Sequence, residues 1–96
     1  MDMLKIVGND VMREGHKVGW VEATRVFSAT GKKLGYVQDA KIFNSEGDKV
    51  AYIDGNHLYS QGDTDVRISL DKVNESISGG VYPIAVRCAV YVLIGA

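Results

Sequence analysis

The length, composition and charge of the chain exclude several classes of protein. Its 96 residues are enough for one domain, 1–96, and 46% of them are apolar, which excludes a disordered chain. The formal net charge is −1, with lysines and carboxylates mixed along the sequence. Because proteins that bind phosphate backbones normally show a basic excess or stripe, we expect no nucleic-acid partner.

Cysteine usage and hydropathy favour a cytoplasmic protein. The one cysteine, Cys88, cannot form an intrachain disulfide, and its apolar surroundings favour a small buried side chain in a reducing compartment. Residues 1–7 contain no apolar stretch of signal-peptide length. No run reaches the ~20 apolar residues that span a membrane, so we expect no membrane partner.

In chain order, the first predicted elements belong to a 16-residue repeat. Residues 10–21, 26–37 and 42–53 superpose at this offset, which aligns Asp10 with Val26. A degraded fourth copy covers residues 58–68, and its glycine, Gly62, comes one place early. The shared columns are Gly15, Gly31 and Gly47; Lys17, Lys33 and Lys49; Val18, Leu34 and Val50; Gly19, Gly35 and Ala51; and Trp20, Tyr36 and Tyr52.

Each copy is typical of two strands joined by a turn. The glycine supplies the positive φ that a short hairpin loop requires, and Asp54-Gly55-Asn56 is a further hairpin signal. Small residues beside large aromatics predict that neighbouring strands approach closely. Since one hairpin cannot bury its apolar face alone, residues 10–70 predict a mainly β fold of four antiparallel hairpin repeats in a pseudo-symmetric, barrel-like or flower-like arrangement.

The C-terminal third departs from the repeat. Residues 70–75 are polar and predict a strand end or a short turn, and Ser78-Gly79-Gly80 marks a break. The apolar segment 81–96 contains β-branched residues that favour a strand, but its lack of polar alternation favours a buried helix, which we predict. An apolar helix predicts a homo-oligomer, unless the hairpins cover it entirely.

The repeat residues resemble the bacterial family described as 4-fold β flower proteins. The likeness lies in residues 31–37, 42–44, 47–55 and 58–59. It implies a repeat-built β fold and no established chemistry. Residues 31–39 and 66–70 show a weaker resemblance to PRC-barrel domains, which are small β-barrels that act as binding modules.

The repeated lysines and aromatic residues are the candidate binding residues. If the copies surround an axis, Lys17, Lys33 and Lys49 form a partial ring, and Trp20, Tyr36 and Tyr52 form a belt. Such a set could hold an anionic or flat ligand. The structural alternative is that the lysines keep the sheet soluble while the aromatics pack across strands.

No catalytic residue, metal site or cofactor is predicted. His16, His57 and Cys88 are too scattered for a zinc site, and an apolar environment keeps a thiol unreactive. The carboxylates near the fourth copy are expected to solvate turns and strand ends; they are Asp54, Asp63, Asp65 and Asp71.

Three functions follow as hypotheses. The first is a non-catalytic binding or assembly module that associates with itself. The second is an accessory protein that inhibits or modulates a larger protein through turn residues such as His16, Lys32 and Asp48. The third is a binder of small ligands, or a small enzyme, that uses the lysines and aromatics.

Overall fold

The repeat folds into one meandering sheet. A computed structural model describes residues 3–60, 66–80 and 82–95. The strands are β1 (Leu4–Val7), β2 (Asp10–Arg13), β3 (His16–Glu22), β4 (Arg25–Ser28), β5 (Lys33–Gln38), β6 (Lys41–Asn44), β7 (Lys49–Asp54), β8 (His57–Ser60), β9 (Val66–Ser69) and β10 (Ile77–Gly79). From β1 to β9 each strand pairs with the next in antiparallel fashion, while β10 pairs in parallel with β1. The predicted mainly β architecture of hairpins is confirmed.

One face of this sheet forms the core. Burial alternates along the strands, so that Val21 is fully buried while Trp20, its neighbour on the opposite face, is half-buried. Strands β4, β6 and β8 bury Val26, Ile42 and Leu58 on the same face. The other face, which we call the outer face, carries the half-buried aromatics and exposed polar side chains.

A β-bulge recurs between the strands of the first three predicted repeats, whereas β8 and β9 of the fourth pair without one. The register shifts between Val26 and Phe27 of β4, where Gly35 and Lys33 of β5 are the successive partners, so Leu34 is the extra residue. The same shift occurs between β2 and β3 and between β6 and β7. The extra residues, Val18, Leu34 and Val50, pack against the core.

The first repeat is one residue shorter than the alignment predicts. Val11 lies opposite Gly19, as Val26 lies opposite Gly35, so Val11 and not Asp10 is the equivalent of Val26. The reason is the turn between β2 and β3, which has only two residues: Arg13 pairs with His16. The next copy uses a longer turn, in which Phe27 pairs with Lys33.

The apolar C-terminal segment is helical, as predicted. Helix α2 (Ile84–Val90) continues into a π-helical turn, Tyr91–Gly95. Cys88, Ala89 and Val90 are fully buried, and the helix packs against β5 and β6. The sheet and α1 cover one side of this helix, while Ile84 and Ala85 stay partly exposed, so the hairpins alone do not cover it entirely. Self-association stays a prediction.

Residues 70–75 are helical, which corrects the expected strand end or turn. Helix α1 (Leu70–Ser76) begins after Ser69, whose hydroxyl oxygen accepts a hydrogen bond of 3.2 Å from the backbone N–H of Lys72. Val73 is its one buried residue. The helix joins β9 to β10, the two edge strands, and contacts both. In the described residues the sheet is therefore open, with α1 between its edges, and is flower-like instead of a closed barrel.

The charged residue of α2 fixes this helix to its surroundings. The guanidinium of Arg87 donates hydrogen bonds to Asn74 Oδ1 at 3.1 Å, to the Gly79 carbonyl at 2.8 Å and to the Ile77 carbonyl. These partners lie in α1 and β10. One side chain thus connects both helices to the edge of the sheet. No helix among residues 3–60, 66–80 and 82–95 is long and apolar enough to cross a membrane.

The two glycines of the small-residue column, Gly19 and Gly35, allow both a neighbouring strand and the C-terminal segment to approach closely. A Cβ on Gly35 would collide with the backbone carbonyl of Phe43 on the neighbouring strand and would lie 2.8 Å from Leu93 Cδ1. A Cβ on Gly19 would collide with the Phe27 carbonyl in the same way. The predicted approach of neighbouring strands is confirmed, and the C-terminal segment fills the space above it.

We predict that Gly35→Ala lowers the free energy of unfolding by about 3 kcal/mol, because the added methyl meets backbone that cannot move aside. Ala51 is the natural alanine of this column and is fully buried, so Ala51→Gly should cost only about 1 kcal/mol. Urea unfolding of both variants measures the difference. A smaller loss for Gly35→Ala than for Ala51→Gly would contradict this account.

Candidate functional site

The predicted site residues belong to cross-strand rows on the outer face. Directly opposed residues on four successive strands form each row, and the pattern occurs three times. Row 1 is Asp10, Trp20, Phe27 and Lys33; row 2 is Arg25, Tyr36, Phe43 and Lys49; row 3 is Lys41, Tyr52, Tyr59 and Arg67. Each row thus holds two aromatic rings in its middle and a cation at its far end.

The two rings of every row stack face to face. The centroids of Trp20 and Phe27 are 5.1 Å apart, with an angle of 11° between the ring planes. The second and third rows repeat this at 5.0 Å and 4.9 Å. Since neighbouring strands are about 4.8 Å apart, directly opposed rings meet at stacking distance. Cross-strand packing, the structural role expected for these aromatics, is therefore present.

A lysine ammonium group lies over the first ring of each row. In rows 2 and 3 this lysine is the one that ends the preceding row. The distances from Nζ to the ring centroid are 5.0 Å for Lys17 and Trp20, 5.1 Å for Lys33 and Tyr36, and 5.3 Å for Lys49 and Tyr52. These are cation–π distances. Each lysine precedes its aromatic by three positions, and the bulge between them brings both side chains to the outer face.

The structure thus brings the six predicted residues together as three pairs, and it adds residues that the sequence analysis missed. The second ring of each row, Phe27, Phe43 or Tyr59, comes from the next strand. The row-end positions held by Arg25, Lys41 and Arg67 were also missed. Pairing across the two-residue turns, such as Glu22 opposite Arg25, is the signal that identifies Arg25 and Lys41, whereas Arg67 follows only from the pairing of β9 with β8.

The alternation of strand side chains between the two faces places most of the basic residues on the outer face. Outer-face strand positions hold seven of the 11 lysines and arginines, against three carboxylates, Asp10, Glu22 and Asp54. The seven are Lys5, Lys17, Arg25, Lys33, Lys41, Lys49 and Arg67. The outer face is therefore cationic, although the whole chain has a formal net charge of −1. A count along the sequence could not show this.

The rows differ in charge at their first position. In row 1, Lys17 Nζ lies 3.1 Å from Asp10 Oδ1, and both side chains are about half exposed. Rows 2 and 3 hold Arg25 and Lys41 at that position. The lysine over the ring is consequently paired with a carboxylate in row 1 and accompanied by a second cation in the other two rows.

Of the remaining candidates, His57 lies beside row 3 and the proposed contacts of an accessory protein lie in or beside turns. These contacts, His16, Lys32 and Asp48, are exposed. His57 is half-buried, with its ring 6.3 Å from that of Tyr59. Within the described residues no three His, Cys, Asp or Glu side chains are placed to hold a metal ion. Gly62, Asp63 and Asp65 lie outside the described residues.

Cys88 lies in the core. Burial raises the pKa of its thiol to about 11, although the neighbouring Arg87 charge acts in the opposite direction. Because the thiolate is the reactive form, the folded chain holds this cysteine in its unreactive state.

We predict that Lys33 and Tyr36 stabilise each other by about 0.5–1 kcal/mol, the usual size of an exposed cation–π interaction. A double-mutant cycle with Lys33→Met and Tyr36→Leu, measured by urea unfolding, gives this coupling. Lys32→Met is the matched control, since the neighbouring Lys32 is exposed and lies over no described ring. Zero coupling between Lys33 and Tyr36 would contradict the interaction.

We also predict that a thiol reagent labels Cys88 slowly at pH 8. With a pKa of about 11, roughly one molecule in a thousand carries the thiolate at that pH. In denaturant the pKa returns to its ordinary range and labelling becomes fast. Ellman's reagent follows both rates, and rapid labelling of the folded chain would show that Cys88 is accessible.

The comparisons with known proteins concern the part of the chain that holds these rows. Residues 6–67 match the model of the family described as 4-fold beta flower protein. No curated protein and no solved structure gives a significant match. The matched span begins in β1, ends in β9 and includes all three rows. As it covers more than half of the 96 residues, the chain belongs to the 4-fold beta flower protein family.

Proposed function

We propose that this protein is a non-catalytic binding module that recognises acidic segments of other proteins with the outer face of its sheet. The observation that carries the proposal is the collection of seven basic side chains around three stacked aromatic pairs on one face. The proposal includes the case in which the bound protein is a larger one that the module modulates.

A face that carries both cations and aromatic rings suits a ligand with both carboxylates and apolar groups. Half-buried rings such as Trp20 and Tyr36 offer flat apolar area whose conformation is already fixed by stacking, so little side-chain entropy is lost on contact. The lysines beside them attract carboxylates and raise the rate of encounter. An acidic peptide with occasional apolar side chains would use both groups.

Charge distribution favours an acidic protein segment over a nucleic acid. Asp10, Glu22 and Asp54 interrupt the cationic face, and the adjacent turns expose Glu46 and Asp48. A phosphate backbone carries a charge at every nucleotide and would meet these carboxylates. A peptide can place its charges beside the lysines and its neutral residues beside the carboxylates.

We predict that hexaglutamate binds the full chain, since its carboxylates complement the outer-face cations. Titration into the ¹⁵N-labelled protein should shift amide resonances of rows 2 and 3, and the affinity should fall as ionic strength rises from about 0.05 to about 0.5 M because screening shortens electrostatic range. Hexaglutamine, of equal length and without charge, is the control and should not bind.

A thymidine hexanucleotide separates the two classes of anionic ligand. We expect it to bind more weakly than hexaglutamate under the same conditions. Tighter binding of the hexanucleotide, or no shift with hexaglutamate at low ionic strength, would overturn the proposal. Shifts confined to the helices would place the binding surface elsewhere and would also count against it.

A further inference from the structure

Rows 1 and 3 contain equivalent clefts that carry opposite charges at the first position of the row. In row 1 the cleft of about 470 Å³ is lined by Asp10, Lys17 and Trp20. In row 3 the cleft of about 210 Å³ is lined by Lys41, Lys49 and Tyr52. The ammonium group lies over the ring at 5.0 Å in the first and 5.3 Å in the third. Lys41 occupies the row position that Asp10 occupies in row 1.

We infer that the cleft of row 3 binds one carboxylate group of an acidic ligand, and that row 1 is closed to anions because Asp10 already supplies that carboxylate. The inference rests on the proposed function and specifies where its ligand is held. Asp10 is an internal example of the bound group, since its Oδ1 lies 3.1 Å from Lys17 Nζ beside the Trp20 ring.

Among the described residues, no carboxylate forms such an ion pair with Lys49. No carboxylate of the described residues lies within ion-pair distance of Lys41 or Lys49, while Lys17 has Asp10. Lys41 takes the row position from which Asp10 reaches Lys17, so an external carboxylate bound to Lys49 would lie beside a second cation. The face of the Tyr52 ring that Lys49 covers would then border an ion pair, as the Trp20 ring does in row 1.

Two acidic side chains limit what this cleft can accept. Asp39 and Asp54 also line it, so two positive and two negative charges share the space. Attraction at long range is therefore small, and binding depends on direct hydrogen bonds to the ammonium groups. A singly charged, planar carboxylate meets less repulsion there than a bulkier, more highly charged phosphate.

Row 2 is intermediate between the other two. Arg25 takes the first position of this row, but Glu22 lies directly opposite Arg25 on the preceding strand. The corresponding neighbour of Lys41 is the uncharged Gln38. Row 3 is consequently the one in which the added cation has no carboxylate directly opposite it on either neighbouring strand.

Two reciprocal substitutions test the inference. Lys41→Asp gives row 3 the arrangement of row 1 and should weaken hexaglutamate binding about tenfold, since it replaces an attractive contact by an internal competitor. Asp10→Lys gives row 1 the arrangement of row 3. Because Trp20 is the only tryptophan in the chain, this variant should gain a change in tryptophan fluorescence on adding hexaglutamate that the native chain lacks.

Two further variants keep the test independent of folding. Lys41→Gln removes the charge without adding a carboxylate and should weaken binding about threefold to tenfold. Asp10→Asn frees Lys17 and should give a weaker Trp20 response than Asp10→Lys. The amide spectrum of each variant shows whether the sheet is intact.

The outcomes separate this inference from the proposed function. If hexaglutamate binds the native chain and both Lys41 variants bind it within twofold of native, the cleft assignment is wrong and the binding face stands. If acetate shifts the amides of Lys49 and Tyr52 but hexaglutamate does not bind, the cleft stands and the proposed function is wrong. Inorganic phosphate that binds as tightly as acetate would overturn the preference for a carboxylate.

Discussion

The β-bulge is the feature on which the outer face depends. Side chains of a regular strand alternate between faces, so residues three positions apart, such as Lys33 and Tyr36, would lie on opposite sides. One extra residue, Leu34, restores them to the same side and turns an apolar side chain toward the core. Because the bulge recurs in the first three copies, it converts a spacing in the sequence into three equivalent cation–aromatic pairs.

The inner face depends on the small residues that follow the bulge. Gly19 and Gly35 let the carbonyl of the neighbouring strand and the C-terminal segment approach together. Larger residues at these positions would push away both the neighbouring strand and the C-terminal segment. The repeat and the C-terminal segment therefore constrain each other, although they lie far apart in sequence. Arg87 adds a polar connection, because it is the only charged residue of α2 and its guanidinium donates to carbonyls at the edge of the sheet.

The hairpins could be predicted from local sequence signals, whereas β1 and α1 depend on contacts with distant parts of the chain. The turn glycines Gly15, Gly31 and Gly47 all have positive φ, as hairpin loops demand. β1 was not predicted because residues 4–7 are only one short strand, and it is paired by β2 and by the distant β10. The helix α1 contains a single buried residue, Val73, so its apolar periodicity was too weak to be recognised. The six site residues were identifiable by repetition, but their stacking partners come from other strands and required the register.

The first position of each row is where an otherwise uniform repeat varies in charge. The bulge, the lysine and the two stacked rings have structural roles in all three rows, so substitution there would disturb the sheet as well as any ligand. The positions held by Asp10, Arg25 and Lys41 lie on the outer face and are not fully buried, so their charge can change at little cost in packing. A protein built from equivalent hairpins can therefore distinguish one copy from another at this position. Asp10 forms an ion pair with Lys17 of its own copy, whereas Lys41 places a second cation beside Lys49 in a cleft where neither lysine forms an ion pair with a described carboxylate.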